Sequence, residues 1–568
     1  MKKLFFLTIA LALISGANAT GTIQTGKDIF NICDFGAIGD GYSLNTKAIQ
    51  KAIDACSEAG GGTVYFPPGT YKSGTVYLKS YVTLELETGA ILLGSKDMKD
   101  YLKAEEGSYI FGTGSQYAFI HGKNVDHVSI IGQGIIDGNT ALDNGSRGPL
   151  AVLFTNSENI LMQGVTVANS PGWSVTIFFC RYVDVIRVKV LNGFADGINP
   201  VCSRDVLLDG VLVDHSGDDP ITIKNEGPAK EFLSENIKII NTTVRNTTHP
   251  AVKIGTGTAG VFRNIIVSNC IFSNTGDMFT IQLMRKTRNV NRTIENILFS
   301  NIVATGVNRL LDWTSMNVAN PDLPTTGPII RRIMVKDIIA SEVKNPSSIM
   351  GLPEFPIQDI SLRNIRMSYS QKKEADPHWL HVKYVNGLQI QDVNLQLAQS
   401  VQSALVCESV QDLELNGLRI TENKVEYPLI KLIDVQGALI HSCQAPAGQT
   451  FIYAEGKLTE DIQFIGNDFL KTDMPFITPS DMNEGVSSPV ATEIIYDHLD
   501  VPGTVNPDEV FQVNVSLTNI GSSGVVNLRL SVDGEDVCSK WLWLRKGEKR
   551  LVELAQLRYY VPKTYEVS

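Results

Sequence analysis

Acidic and imidazole side chains gather between Asp196 and His249, in Asp196-Gly197-Ile198-Asn199, Ser216-Gly217-Asp218-Asp219-Pro220 and Thr248-His249-Pro250. Carboxylates set close together can do general acid–base work, one giving a proton while another takes one. Each piece follows a short aliphatic run opened by a polar residue: Asp184-Val185-Ile186, Asp205-Val206-Leu207 and Asn236-Ile237-Lys238. Asp196, Asp219 and His249 stand 12, 14 and 13 residues after those anchors. Such near-equal offsets predict a column across three successive structural repeats, with parallel neighbours about 4.8 Å apart. Asp218, one residue out of step, points elsewhere. Packed carboxylates repel unless charge or solvent compensates, which marks the cluster as an active site.

The elements that hold this column repeat along most of the chain. A polar pair followed by alternating aliphatics recurs at Glu158-Asn159-Ile160, Arg204-Asp205-Val206, Glu235-Asn236-Ile237, Arg263-Asn264-Ile265 and Glu295-Asn296-Ile297. It continues at Gln358-Asp359-Ile360, Gln411-Asp412-Leu413 and Glu460-Asp461-Ile462. A period of about 20–30 residues with strands and no regular helix predicts a solenoid of stacked coils. Inward aliphatics and outward polar residues fit an all-β, right-handed parallel β-helix. A propeller would need about 40–50 residues per blade, too many for the tight intervals.

Before the coils, Ala48, Ile49, Ala52 and Ile53 share a helical face behind an N-cap at Asn45 or Thr46. This helix, ended by Gly60-Gly61-Gly62, would plug the solenoid's open end. After about residue 490 the period is lost. Val510–Leu517, Val526–Val532 and Leu551–Leu557 alternate by two between glycine turns, which predicts a small Ig-like β-sandwich. Trp541 and Trp543 share one side of a strand, either as core or as a sugar-stacking platform.

The 568 residues bear a net charge of −11 with no basic stripe, which argues against nucleic acid or an anionic membrane as partner. Met1-Lys2-Lys3, an apolar run to Ile14 and Ala17-Asn18-Ala19 read as a signal peptide over 1–19. The mature protein is then secreted or periplasmic, with no membrane insertion after cleavage. Residues 20–488 form the solenoid and 489–568 the sandwich. Eight cysteines show no metal-ligand spacing; Cys33 and Cys56 either pair or remain buried thiols.

The ordered motifs Asp34-Phe35-Gly36-Ala37, Gly132-Gln133-Gly134-Ile135-Ile136-Asp137-Gly138, Asn169-Ser170-Pro171-Gly172-Trp173, Asp196-Gly197, Gly217-Asp218-Asp219 and Gly351-Leu352-Pro353-Glu354 resemble the polygalacturonases, glycoside hydrolase family 28. The likeness runs over about residues 30–480. It implies a right-handed β-helix that hydrolyses pectic chains with inversion, using neither metal nor cofactor. Asp218 then matches the general acid, Asp196 and Asp219 the pair that activates water, and His249 a supporting histidine. Inversion needs acid and base about 6.5–9.5 Å apart, and an acid whose pKa is raised.

Two departures matter. Pro250 follows His249 where the family has glycine, which leaves a purely structural role open for that histidine. Where the family carries Arg-Ile-Lys to hold a galacturonate carboxylate, this chain has Thr280-Ile281-Gln282. Arg285 follows closely, and Lys224 and Lys253 are further candidate cations; by parity Lys224 faces away from Asp219, toward solvent. Without the clamp, a neutral or mixed region such as rhamnogalacturonan becomes a substrate beside galacturonan. The insertion Asn308–Pro328, with Trp313, is expected to wall the cleft. Two rivals remain: a calcium-dependent pectate-type lyase, and a non-catalytic pectin-binding β-helix with a decayed site.

Overall fold

A computed structural model describes residues 28–103, 116–140, 147–227, 232–283, 292–314, 327–370, 378–397, 403–421, 428–444, 450–468, 474–477, 493–506, 508–521, 524–544 and 547–558. The leader, Arg285 and the 488/489 boundary lie outside those residues. The described residues between 29 and 477 stack as a right-handed parallel β-helix with three faces, single strands such as Gly260–Ser273 running over two of them in the later coils. On the first face the inward register runs Ile120, Val152, Val175, Ile198, Ile221, Val252, Phe279 and Leu311. The second stacks Met162, Val185, Leu208, Ile239 and Val267, and the third Val167, Val190, Val213 and Val244. All lie in one continuous core. Burying each such side chain contributes about 1.5–3 kcal/mol, so identical aliphatic rows hold the coils together.

The recurring polar pairs are the corners of this prism. The second residue of the pair takes the left-handed region at Asn159, Asp205, Asn236, Asn264 and Asn296, with φ of 53, 54, 56, 57 and 57°. Asparagine and aspartate tolerate that geometry best among residues with a Cβ. Their side chains then stack: Asn236 Nδ2 donates to Asp205 Oδ1 at 2.8 Å, and Asn264 Nδ2 to Asn236 Oδ1 at 3.1 Å. Asn296 Nδ2 donates in turn to Asn264 Oδ1 at 3.1 Å. The glycines of the 132–138 motif answer to space instead. A Cβ on Gly132, at φ +118°, would stand 2.0 Å from the Leu86 carbonyl oxygen.

The helix Thr46–Glu58 covers the N-terminal end with Ile49, Ala52, Ile53 and Cys56 buried. Asn45 is its N-cap residue, yet its side chain makes no cap bond; it accepts from Ile38 N at 2.7 Å and ties down the preceding loop. At the other end, strands Ile494–Asp500, Val510–Asn519 and Lys549–Arg558 form an antiparallel sheet. The hairpin Gly524–Val532 with Glu535–Leu544 packs against it through Val515, Leu517, Leu528, Leu542, Leu544 and Val552. That hairpin also pairs antiparallel with the solenoid strand Glu460–Ile465, Phe464 opposite Trp541. The side chains of Trp541 and Trp543 lie outside what is described. All eight cysteines are free, Cys33 and Cys56 included.

Candidate active site

The acids sit at the entrance of first-face strands, where the chain turns in from the third face. Pairing of Ile198 with Ile221 sets Asp196 level with Asp219 on the next rung. His249 corrects the offset argument. The ladders pair Asp184 with Leu207 and Lys238, not with Asp205 and Asn236. Counted from paired residues, the position equivalent to Asp196 and Asp219 is Pro250, and His249 is level with Asp218. Its Nδ1 lies 3.5 Å from Asp218 Oδ1 and 3.8 Å from Asp219 Oδ1. The polar pairs Arg204-Asp205 and Glu235-Asn236 keep register, and counted from them Asp219 stands 14 residues on but His249 only 13. Asp184 lies two residues past its own corner at Tyr182, so near-equal offsets from it mislead.

Each carboxylate has its own cation. Lys224 Nζ is 2.6 Å from Asp196 Oδ2, with both residues buried, and sits 3.9 Å from the centroid of the Trp173 ring. Lys253 Nζ is 3.0 Å from Asp219 Oδ2. Arg147 Nη2 is 2.7 Å from Asp218 Oδ2. Lys224 is therefore not solvated. It does point away from the solenoid core, but Trp173 covers it there, and outward on this face is not outward to water.

Solvent meets the three acids unequally. Asp196 and Asp219 side chains are 2% and 6% exposed, Asp218 32% and His249 38%. Burial pushes Asp196 up to about 6, opposed by Lys224 and assisted by the neighbouring acids. Burial also raises Asp218, but His249 and Arg147 outweigh it and hold this carboxyl below its usual value. The raised pKa expected of the acid is thus found on Asp196 in the free protein. Asp218, Asp219 and His249 bring ligand atoms within 4.8 Å of one another. A dication there would have to displace the cations that already neutralise both carboxylates.

With this geometry in view, similarity to known proteins is informative. The rhamnogalacturonase A/epimerase, pectate lyase-like family model matches residues 29–172. A probable polygalacturonase of Vitis vinifera is 26% identical over 377 residues, spanning 61% of this chain and 76% of its own. An exo-poly-alpha-D-galacturonosidase of Dickeya chrysanthemi is 25% identical over 454 residues, 62% of this chain and 74% of its own. The solved exopolygalacturonase of Thermotoga maritima shares the fold at 21% identity with a TM-score of 0.56, covering 65% of this chain and 91% of that one. The chain is polygalacturonase-like.

In this polygalacturonase-like chain the remaining candidates lie on the rung beyond His249. Thr280 pairs in register with Lys253 and is buried, donating to Asp277 Oδ2 at 3.1 Å, while Gln282 is exposed. Neither replaces a cation. Trp313, expected in a cleft wall, is fully buried in strand Leu311–Thr314, paired with Ile281 and edge-on to Phe279 at 5.5 Å. It belongs to the core; residues 315–326 of that insertion lie outside those described. Sequence reasoning missed Arg147, which precedes the strand Leu150–Thr155 and carries no motif of its own, and missed Trp173 as the cover of Lys224.

Proposed function

We propose that the protein is a secreted, inverting glycoside hydrolase of pectic polysaccharide or oligosaccharide. The observation that carries this reading is the division of labour among the acids. Asp218 alone reaches solvent to protonate a leaving oxygen, while Asp196 and Asp219 lie level behind it, each held by a lysine. Water taken by that pair attacks the anomeric carbon from the face opposite Asp218. His249, level with Asp218 and 3.5 Å from it, supports the acid rather than the base pair. The polygalacturonase and exo-galacturonosidase relatives support the pectic substrate. Among the described residues no helix is long and apolar enough to cross a membrane.

The test is a panel of de-esterified homogalacturonan, rhamnogalacturonan and their oligosaccharides, followed by reducing ends and by proton resonance of the released anomer. Inversion with chelator-insensitive release is expected. An unsaturated product absorbing in the ultraviolet, lost on chelation, would replace hydrolysis by elimination.

The pH profile follows from the two carboxyl shifts. Asp196 must be ionised to accept a proton and Asp218 protonated to give one. The free protein favours the reverse arrangement, so the working form is a minority species bounded by both values, which belong to the coupled set. A bell-shaped kcat/KM is expected, with its alkaline limb near about 6 and its acidic limb below the usual carboxylate range. Arg147→Ala removes a cation from Asp218 and moves the acidic limb to higher pH. A limb that stays in place would show that Arg147 does not set the acid's ionisation.

A further inference from the structure

Outward side chains of the first face change character on the C-terminal side of the acidic row, from Asp312 onward. Toward the N-terminus, Leu153, Thr176, Asn199 and Val201 are 0% exposed and Phe178 1%. Their inward neighbours Val152, Val175, Ile177 and Ile198 belong to the solenoid core. Leu153, Phe178 and Val201 instead join Trp173 and Leu150 in a second apolar cluster outside the coil. On these rungs the floor is roofed over. Toward the C-terminus the same outward positions continue in register through Lys253, Thr280, Asp312, Ser348 and His381. Lys253 and Thr280 are still largely covered, and beyond them the surface opens: side chains of Asp312, His381 and Lys383 are 27%, 25% and 37% exposed.

Arg147 lies on the roofed side. Its residue precedes a strand three rungs before that of Asp219, about 14 Å at the usual strand spacing. Its guanidinium nevertheless rests on Asp218. Gly148 N donates to Pro171 O at 3.0 Å, which keeps the backbone on its own rung. The Arg147 side chain itself therefore reaches along the solenoid axis and meets the acid from the N-terminal side, where Trp173 already covers Lys224.

We propose that the cleft is blind on the N-terminal side of the acids, so that a pectic chain enters only from the C-terminal side and is shortened from one end. This rests on the glycosidase reading of the same site. A polymer gripped mid-chain needs polar floor on both sides of the bond being broken. Here one side presents aliphatic and aromatic packing, and its Thr176 and Asn199 are out of reach. The other side presents Asp312, Ser348, His381 and Lys383, which can hydrogen-bond sugar hydroxyls over several rungs. The terminal sugar stops against Arg147 and the Trp173 cluster.

The experiment uses the whole protein and pectic oligosaccharides bearing a bulky fluorophore at either the reducing or the non-reducing end. Binding is measured to Asp218→Asn, and a digestion time course is run with the wild type on unlabelled polymer. A label at one end should weaken binding about ten-fold or more while the other is tolerated. The smallest product should appear from the first minutes without mid-length fragments. Equal tolerance of both labels, no binding of either, or early mid-length fragments would overturn the blind cleft. One-ended binding without any hydrolysis would instead overturn the glycosidase reading and leave the cleft standing.

Discussion

Asp218→Asn should lower kcat by about 10²–10⁴-fold, the range that a positioned general acid supplies. The substitution keeps the side chain's shape and removes both the proton that it delivers and the charge that pairs with Arg147 and His249. Asp218 is the most exposed of the three acids, and its partners Arg147 and His249 are themselves partly in solvent. Loss of such surface pairing costs about 0–1 kcal/mol, so thermal unfolding should be close to wild type. Substrates with an activated aryl leaving group, which departs without a proton, should suffer much less than natural chains. Reducing-end assays on both substrate types check this, and similar losses on the two would remove Asp218 from the acid's role.

Lys224→Met should be the most destabilising change in the site. Its ammonium is the hydrogen-bonded partner of Asp196, 2.6 Å away, and both residues are buried. Removing one member of a buried pair typically costs about 3–5 kcal/mol, because the other charge is left without compensation. Asp196 can escape that cost by taking a proton, and its carboxyl is already raised to about 6 with the lysine present. A protonated Asp196 cannot accept a proton from water, so activity should fall even where the fold survives. Lys224→Met with Asp196→Asn removes both charges and should recover most of the stability but none of the rate. Urea unfolding of the single and double variants measures this. A single-variant loss below about 1 kcal/mol would mean that the pair does not hold the rung as described.

The solenoid was legible because its corners require a residue that tolerates positive φ, and Asn or Asp at those corners is visible as a recurring letter. The aliphatic rows follow by alternation. The acids were legible because Asp196, Asp218 and Asp219 fall at one turn of neighbouring coils. His249 was placed one residue off because the anchor Asp184 lies past its coil's corner, which hid that His249 falls one short of the count from Asn236. Trp313, inward on strand Leu311–Thr314, reads in the sequence as part of an insertion. Lys224 shows a second kind of loss. Parity separates inward from outward on a strand, but it does not tell an outward residue that is roofed from one that is wet. Arg147 acts across three rungs, and no local pattern encodes a reach of that kind.

The antiparallel match between Glu460–Ile465 and Glu535–Leu544 has a consequence for how copies of the chain meet. A parallel coil ends in unpaired amides and carbonyls that could template a second molecule. Here one face of the final rung, at Gln463–Ile465, is covered by a strand running the wrong way to be extended, and the helix Thr46–Glu58 stoppers the opposite mouth. Covers of this kind disfavour end-to-end stacking of a chain built from dozens of strands.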